Sequence, residues 1–321
     1  MGFRINVGIA AALACAFTGA AAQQYPAKPI RFIVPYVPGG GTDTLARLVG
    51  QKLSEGLGQS VVIDNRPGAG GVIGTEIVAK SPPDGYTLML ASASPITVAP
   101  HLHKQLPYSP LKDFAPITLI TIVPAVLAVH PTLPVKSVKE LVALAKSKPG
   151  QLTFSSSGNG GTGHVSGEML KMMAGVDMLH VPYKGTGPAT TAVLSGEVSL
   201  TFGNMISVLP HVKSGKLRAL AVTTAKRSPV LANVPTVAET LPGYLSGPWY
   251  GVLAPAGTPG AIVSRLNQEI VRILRSPEVG ENLRSEGADP IGSSPAEFAA
   301  HLKSETERMG KVVRQSKMKV D

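Results

Sequence analysis

The sequence predicts an α/β protein built of two lobes. Strand-like runs alternate with amphipathic helical stretches along nearly the whole chain, the pattern of layered α/β architecture with largely parallel sheets. At 321 residues the chain exceeds the ~250–300 at which a single core stops growing. Glycine-rich loops at 38–42, 66–71 and 157–163 each join the end of a strand to the start of a helix.

The elements follow in order. Residues 1–22, MGFRINVGIAAALACAFTGAAA, place one basic residue, Arg4, before an Ala-rich apolar run. They end in Ala20-Ala21-Ala22 ahead of Gln23, the layout of a secretory signal peptide. A lipoprotein anchor at Cys15 is disfavoured, because Leu13 stands one place off the usual lipobox position. Cleavage after Ala22 removes the single cysteine, and with it any disulfide, thiol catalysis or thiolate metal site.

Residues 29–36 read as the first strand. Thr42 reads as the N-cap of a helix to Leu57, with Leu45, Leu48, Val49 and Leu53 at helical spacing. Residues 60–64 and 86–91 are strands, with a helix over 72–80 between them. A Pro-rich break at 108–114 precedes one long β-rich run, 117–129, that carries the chain into a second lobe. There Ser137 caps a helix through Lys146, and strands at 151–155, 179–183, 198–202 and 217–223 form the sheet. A helix over 164–174 lies between the first two, and Pro188 sits in the first turn of another. From Trp249 the chain returns to the first lobe, with a strand at 250–254 and helices over 259–275 and 295–313. The predicted division is residues 1–22 as signal peptide, 23–125 plus 248–321 as lobe 1, and 126–247 as lobe 2.

Composition narrows the function. The formal charge is +10, but the basic residues are scattered and aromatics are only 5%, which argues against a nucleic-acid groove. A diffuse positive field favours small anions. Beyond the signal no apolar run approaches the ~18 residues of a membrane span.

Residues 158–163, Gly-Asn-Gly-Gly-Thr-Gly, satisfy G-x-G-x-x-G. A dinucleotide site also demands an acid at the end of the next strand, and Lys184 stands there instead. Gly39-Gly40-Gly41-Thr42 lacks the Gly-Lys-Ser/Thr of a phosphate-binding P-loop, and no G-x-S-x-G pentapeptide occurs. A hydrolase reading is left with Ser157 and His164, against the plainer reading that His164 hydrogen-bonds its own loop. The histidines at 101, 103, 130, 180, 211 and 301 show no metal-binding spacing. What the three glycine loops share is exposed backbone N–H groups at the positive end of a helix dipole. Together they point to one anion cleft at the carboxyl ends of the strands.

Several stretches also resemble one family throughout the chain. They include Val34-Pro35-Tyr36-Val37-Pro38-Gly39-Gly40-Gly41-Thr42-Asp43, Asn65-Arg66-Pro67-Gly68-Ala69-Gly70-Gly71 and Pro83-Asp84-Gly85-Tyr86-Thr87-Leu88. Further on come Ser156-Ser157-Gly158-Asn159-Gly160, Val181-Pro182-Tyr183-Lys184-Gly185, residues 209–223 and Pro235-Thr236-Val237-Ala238-Glu239. The sequence is similar to the extracytoplasmic solute receptors of tripartite tricarboxylate transporters, the Bug family.

That resemblance implies a two-lobe, type II periplasmic-binding-protein-like α/β fold with its ligand cleft between the lobes. It implies a periplasmic, non-enzymatic, monomeric receptor with no cofactor or metal. The ligand it implies is a small dicarboxylate, tricarboxylate or aromatic carboxylate, delivered to a membrane permease of one large and one small subunit. A ligand-presenting sensor for a membrane partner is the alternative the same fold allows. Carried over by position, the pocket is Tyr36, Gly39, Gly40, Thr42, Ala69, Gly70, Ser92, Ser157, Asn159, Gly160 and Lys184. Relatives often carry Phe-Asp-Asn where this chain has Phe202-Gly203-Asn204, which leans away from amino-acid ligands.

Overall fold

The computed structural model describes residues 25–316 and Met318; the signal-peptide reading of residues 1–22 lies outside the described residues. The chain runs β1 (Ile30–Val34), α1 (Gly41–Leu57), β2 (Val61–Asn65), α2 (Val72–Ala79), β3 (Thr87–Ser92), α3 (Ala99–Leu102) and β4 (Phe114–Ile122). It continues through β5 (Ala125–Val129), α4 (Val138–Ser147), β6 (Thr153–Ser156), α5 (Thr162–Ala174), β7 (Leu179–Pro182), α6 (Thr186–Leu194), β8 (Leu200–Asn204), α7 (Met205–Lys213) and β9 (Arg218–Val222). It closes with β10 (Trp249–Pro255), α8 (Gly260–Arg275), α9 (Pro277–Ser285), β11 (Asp289–Pro290) and α10 (Pro295–Ser316).

Two sheets result, of order β11-β4-β10-β3-β1-β2 and β7-β6-β8-β5-β9. The expectation of largely parallel sheets holds for β1 with β2 and β3, and for β6 with β7 and β8. It fails at β4, β5, β10 and β11, whose pairings are antiparallel. Of these, β4, β5 and β10 are the strands by which the chain passes between the two sheets, β4 leading into β5 and β10 returning to the first. The single run expected over 117–129 is accordingly two strands in different sheets, divided at Val123-Pro124. The return path lies alongside, with Val123 N–H donating to the Pro248 carbonyl (2.9 Å) and Met205 N–H to that of Pro124 (2.9 Å).

Local chemistry explains most helix ends. α1 buries Leu45, Val49, Leu53 and Leu57 along one stripe and stops at Gly58, whose φ of 68° suits the left-handed cap. Ser137 caps α4 as expected, accepting from Glu140 N–H. Thr42, expected to cap α1, does not: the helix starts earlier, at Gly41, with Gly40 as its cap. Asp43 fixes this start. Its carboxylate accepts from Gly39 N–H (3.1 Å), the Arg47 side chain (2.9 Å) and Asn65 (3.0 Å). Burial pushes the Asp43 carboxyl up, but those hydrogen bonds outweigh it and hold it below the usual range.

α10 packs on both halves. Phe298 and Leu302 join the cluster around Trp249 and Ile96, whereas Met309 and Val313 join the one containing Val165 and Met169 of α5. Each such side chain contributes about 1.5–3 kcal/mol on full burial.

Candidate functional site

Four helices begin around one cavity. Thr42 of α1, Thr162 and Gly163 of α5, Thr186 of α6 and Asn204 at the cap of α7 all line it. Tyr36, Ser92, Ser156, Ser157, Thr201 and Tyr250 complete most of the polar wall, and the enclosed space measures about 30 Å³, room for one or two waters or one small polar group. The first turn of a helix has amides with no carbonyl one turn back to accept them. Here residues of several such turns line a common space, although the Gly41, Met205 and Ser207 amides are already bonded within the protein. No Lys, Arg, Asp or Glu stands among the lining residues.

The hydroxyls are held ready to donate. Asn204 accepts from Ser207 N–H at 2.9 Å through Oδ1, while its Nδ2 donates to Thr186 Oγ1 (3.3 Å) and to the Tyr250 hydroxyl (3.1 Å). Having accepted from Asn204, both hydroxyls keep their own protons for a guest. Tyr36 is buried, which pushes its phenol up to about 12, and it pairs with Ser92 at 3.0 Å. Burial likewise raises the Tyr250 phenol. Both therefore remain neutral donors.

Tyr36 and Ser157 also border an outer cleft of about 210 Å³, with Gly68, Ala69, Gly70, Gly158, Asn159, Tyr183 and the exposed Lys184. Of the sequence-expected residues, the structure thus brings Tyr36, Thr42, Ser92 and Ser157 to the inner cavity, and Ala69, Gly70, Asn159 and Lys184 to the cleft. Gly39 lies on a separate groove beside Gly187. Gly40 and Gly160 line neither space. Gly40 instead packs against the Gly187 backbone, and the Gly160 amide is spent on His164 Nδ1 at 3.1 Å.

Gly41 N–H donates to Ser207 Oγ at 2.7 Å, joining the starts of α1 and α7. A side chain on Gly41 would collide with Asn204, and one on Gly70 with the Asn159 carbonyl. Some of the glycines read as anion donors therefore serve as contact points where two loops close on each other. Sequence reasoning missed Thr186, Thr201, Asn204 and Tyr250. The signal for Asn204 was available, since an Asn immediately ahead of an apolar run marks a helix start.

The hydrolase reading fails on geometry. His164 Nδ1 accepts from Gly160 N–H, and its Nε2 faces Glu168 at 4.0 Å. Burial, with help from His180 and Lys171, lowers its pKa to about 3, far too weak a base to activate Ser157. The plainer reading of His164 as a ligand of its own loop is what the structure shows.

At position 203 a side chain would collide with Val208, so Gly203 and Val208 fit as a pair. Combined with the absence of Asp and Glu from the lining, this leaves an ammonium group without a counter-charge in the cavity.

Residues 45–318 match the model of the tripartite tricarboxylate transporter family receptor. A curated relative, protein BugT of Bordetella pertussis, is 40% identical over 316 residues, spanning 98% of this chain and 97% of its own. Among solved structures, Rpa4515 of R. palustris with adipate is 41% identical, with a TM-score of 0.88, covering 91% of this chain and 98% of that one. MatC from Rhodopseudomonas palustris with bound malate is 34% identical, with a TM-score of 0.86 over 90% of this chain and 100% of that one.

Proposed function

The chain belongs to the tripartite tricarboxylate transporter receptor family, whose members are solute-binding receptors and not enzymes, and from that premise we propose that it captures a small organic di- or tricarboxylate or aromatic carboxylate for a membrane permease. The observation that carries this reading is the convergence of four helix starts on a cavity lined by no charged side chain. A carboxylate buried there exchanges its water for amides and hydroxyls already in place, so the desolvation cost is offset without an arginine. The adipate and malate of the two structural relatives support the ligand class. In this reading Tyr36, Thr42, Ser92 and Ser157 grip one acid group and Ala69, Gly70, Asn159 and Lys184 frame the rest of the guest. The lobes meet at Val123-Pro124, a little before the predicted boundary at 125, and they close over it.

The protein works as a periplasmic monomer and delivers to a permease of one large and one small subunit. Among the described residues no helix is long and apolar enough to cross a membrane. The test is a thermal-shift screen of residues 23–321 against a carboxylate library. At a ligand concentration about 100 times Kd, the stabilisation expected is roughly 2.7 kcal/mol. A neutral solute that stabilises while no carboxylate does would overturn the assignment.

A further inference from the structure

Two imidazoles that the cavity does not use stand beside it. The rings of His164 (α5) and His180 (β7) are stacked, 3.8 Å between centroids and 3° from parallel, with Phe154 at 5.0 Å from His180. Each is wired to the loop that follows β6. His180 Nε2 lies 2.6 Å from Ser156 Oγ, and Ser156 in turn donates to the Gly158 carbonyl (3.0 Å) while accepting from Gly158 N–H (3.2 Å). His164 Nδ1 accepts from Gly160 N–H. The assignment that satisfies every one of these bonds puts the proton of both rings on Nε2.

We propose that His164 and His180, as a stacked pair of neutral imidazoles, are positioning residues of the ligand site. They fix the Ser156 hydroxyl and the Gly160 amide, and so hold residues 156–160 in the shape that lines the cavity and receives Gly70. The ligand arm of this proposal rests on the carboxylate reading above; the loop arm does not.

For His164, neutrality is required by the hydrogen-bond directions. A proton added to His164 would land on Nδ1 and set two donors face to face at Gly160. The charged neighbours are Glu168, 4.0 Å from His164 Nε2, and Lys171, which is paired with Glu168 at 2.9 Å and disfavours protonation of both rings. The neighbour from β6, Phe154, is apolar. Burial acts in the same direction, lowering His180 to about 4.

The experiment is ¹⁵N NMR of the imidazoles together with amide hydrogen exchange, on wild type and on His180→Gln, His180→Leu, His164→Asn and His164→Leu. Gln keeps a donor where Nε2 stood, and Asn keeps an acceptor where Nδ1 stood. Both wild-type rings should remain neutral, with the proton on Nε2, from about pH 7 to about pH 5. Exchange at Gly158 and Gly160 should rise about tenfold in the Leu variants, the equivalent of one lost hydrogen bond, and return to within about threefold of wild type in Gln and Asn. Affinity for adipate or malate, whichever the wild type binds, should follow the same order.

Rings that titrate near their ordinary value would overturn the proposal. So would Leu variants that exchange like wild type, or Gln and Asn variants no better than Leu, which would reduce the pair to packing. Should neither acid bind wild type, affinity is read with the carboxylate that the thermal-shift screen returns, and the exchange data decide the loop on their own.

Discussion

Gly70, in the loop after β2, meets Asn159, in the loop after β6, so closely that one methyl group built on Gly70 would overlap the Asn159 carbonyl oxygen. The backbone of Gly70 is also left-handed, with φ of 64°, a region costing other residues about 1–2 kcal/mol. Gly70→Ala is therefore expected to bind its carboxylate at least about tenfold more weakly while staying folded, because the two loops are pushed apart. Calorimetry reads the affinity, and small-angle scattering with saturating ligand reads whether the molecule still closes. Unchanged affinity in a folded variant would remove this contact from the binding cycle.

Asn204→Asp separates the capping role from the electrostatic one. Asp keeps the cap but loses the Nδ2 donor to Thr186 and Tyr250 and buries a charge, so stability should fall by about 1–3 kcal/mol. A second negative charge beside the guest in a site shielded from water should nevertheless lower affinity by about a hundredfold or more. Denaturant unfolding and calorimetry on the same preparation check both halves.

Lys184 is exposed at the outer cleft, where salt screens charge. Lys184→Gln is expected to cost about three- to tenfold in affinity at low salt and progressively less at high salt. The contribution of the buried helix starts should persist through the same salt series. A wild-type protein that loses all binding in salt would place the dominant charge on the surface instead.

Stability should fall with pH below the ordinary histidine range. His164 and His180 are lowered to about 3 and about 4, chiefly by burial. Between those values and about 6.5 the unfolded chain takes up protons that the folded one refuses, so unfolding becomes easier as pH drops. The stabilising effect of neutral burial is fully present above about 6.5 and is lost progressively as pH falls through the folded values. The slope attributable to the pair approaches two protons, and it should vanish in the His164→Asn, His180→Gln double variant. Urea unfolding as a function of pH measures it directly.

Much of this was legible in the sequence, because it rests on local signals. The Ser137 cap, the left-handed stop at Gly58 and the alternation from β1 to β3 follow from residue type and spacing. Three kinds of feature were not. α7 hides because Pro210 interrupts its pattern, and α9 because it is nine residues long with only Val279 and Leu283 as large apolar anchors. Thr42 looks like a cap, but the long-range hold of Asp43 on Asn65 and Gly39 starts the helix sooner and turns Thr42 to the cavity. Gly40, Gly70 and Gly160 look alike in sequence, yet a backbone packing point, a closing contact and a donor spent on a histidine are told apart only by what each faces across the cleft.

The cavity takes its positive character from main-chain amides, and no point mutation deletes a main chain. Its side chains are hydroxyls, an amide, Phe202 and smaller apolar groups, whose exchange would alter shape more than any pull on an acid group. Such a receptor is free to drift from one acid to another in single steps, each intermediate still holding something. Diversification of ligands within one scaffold then requires no loss of function along the way.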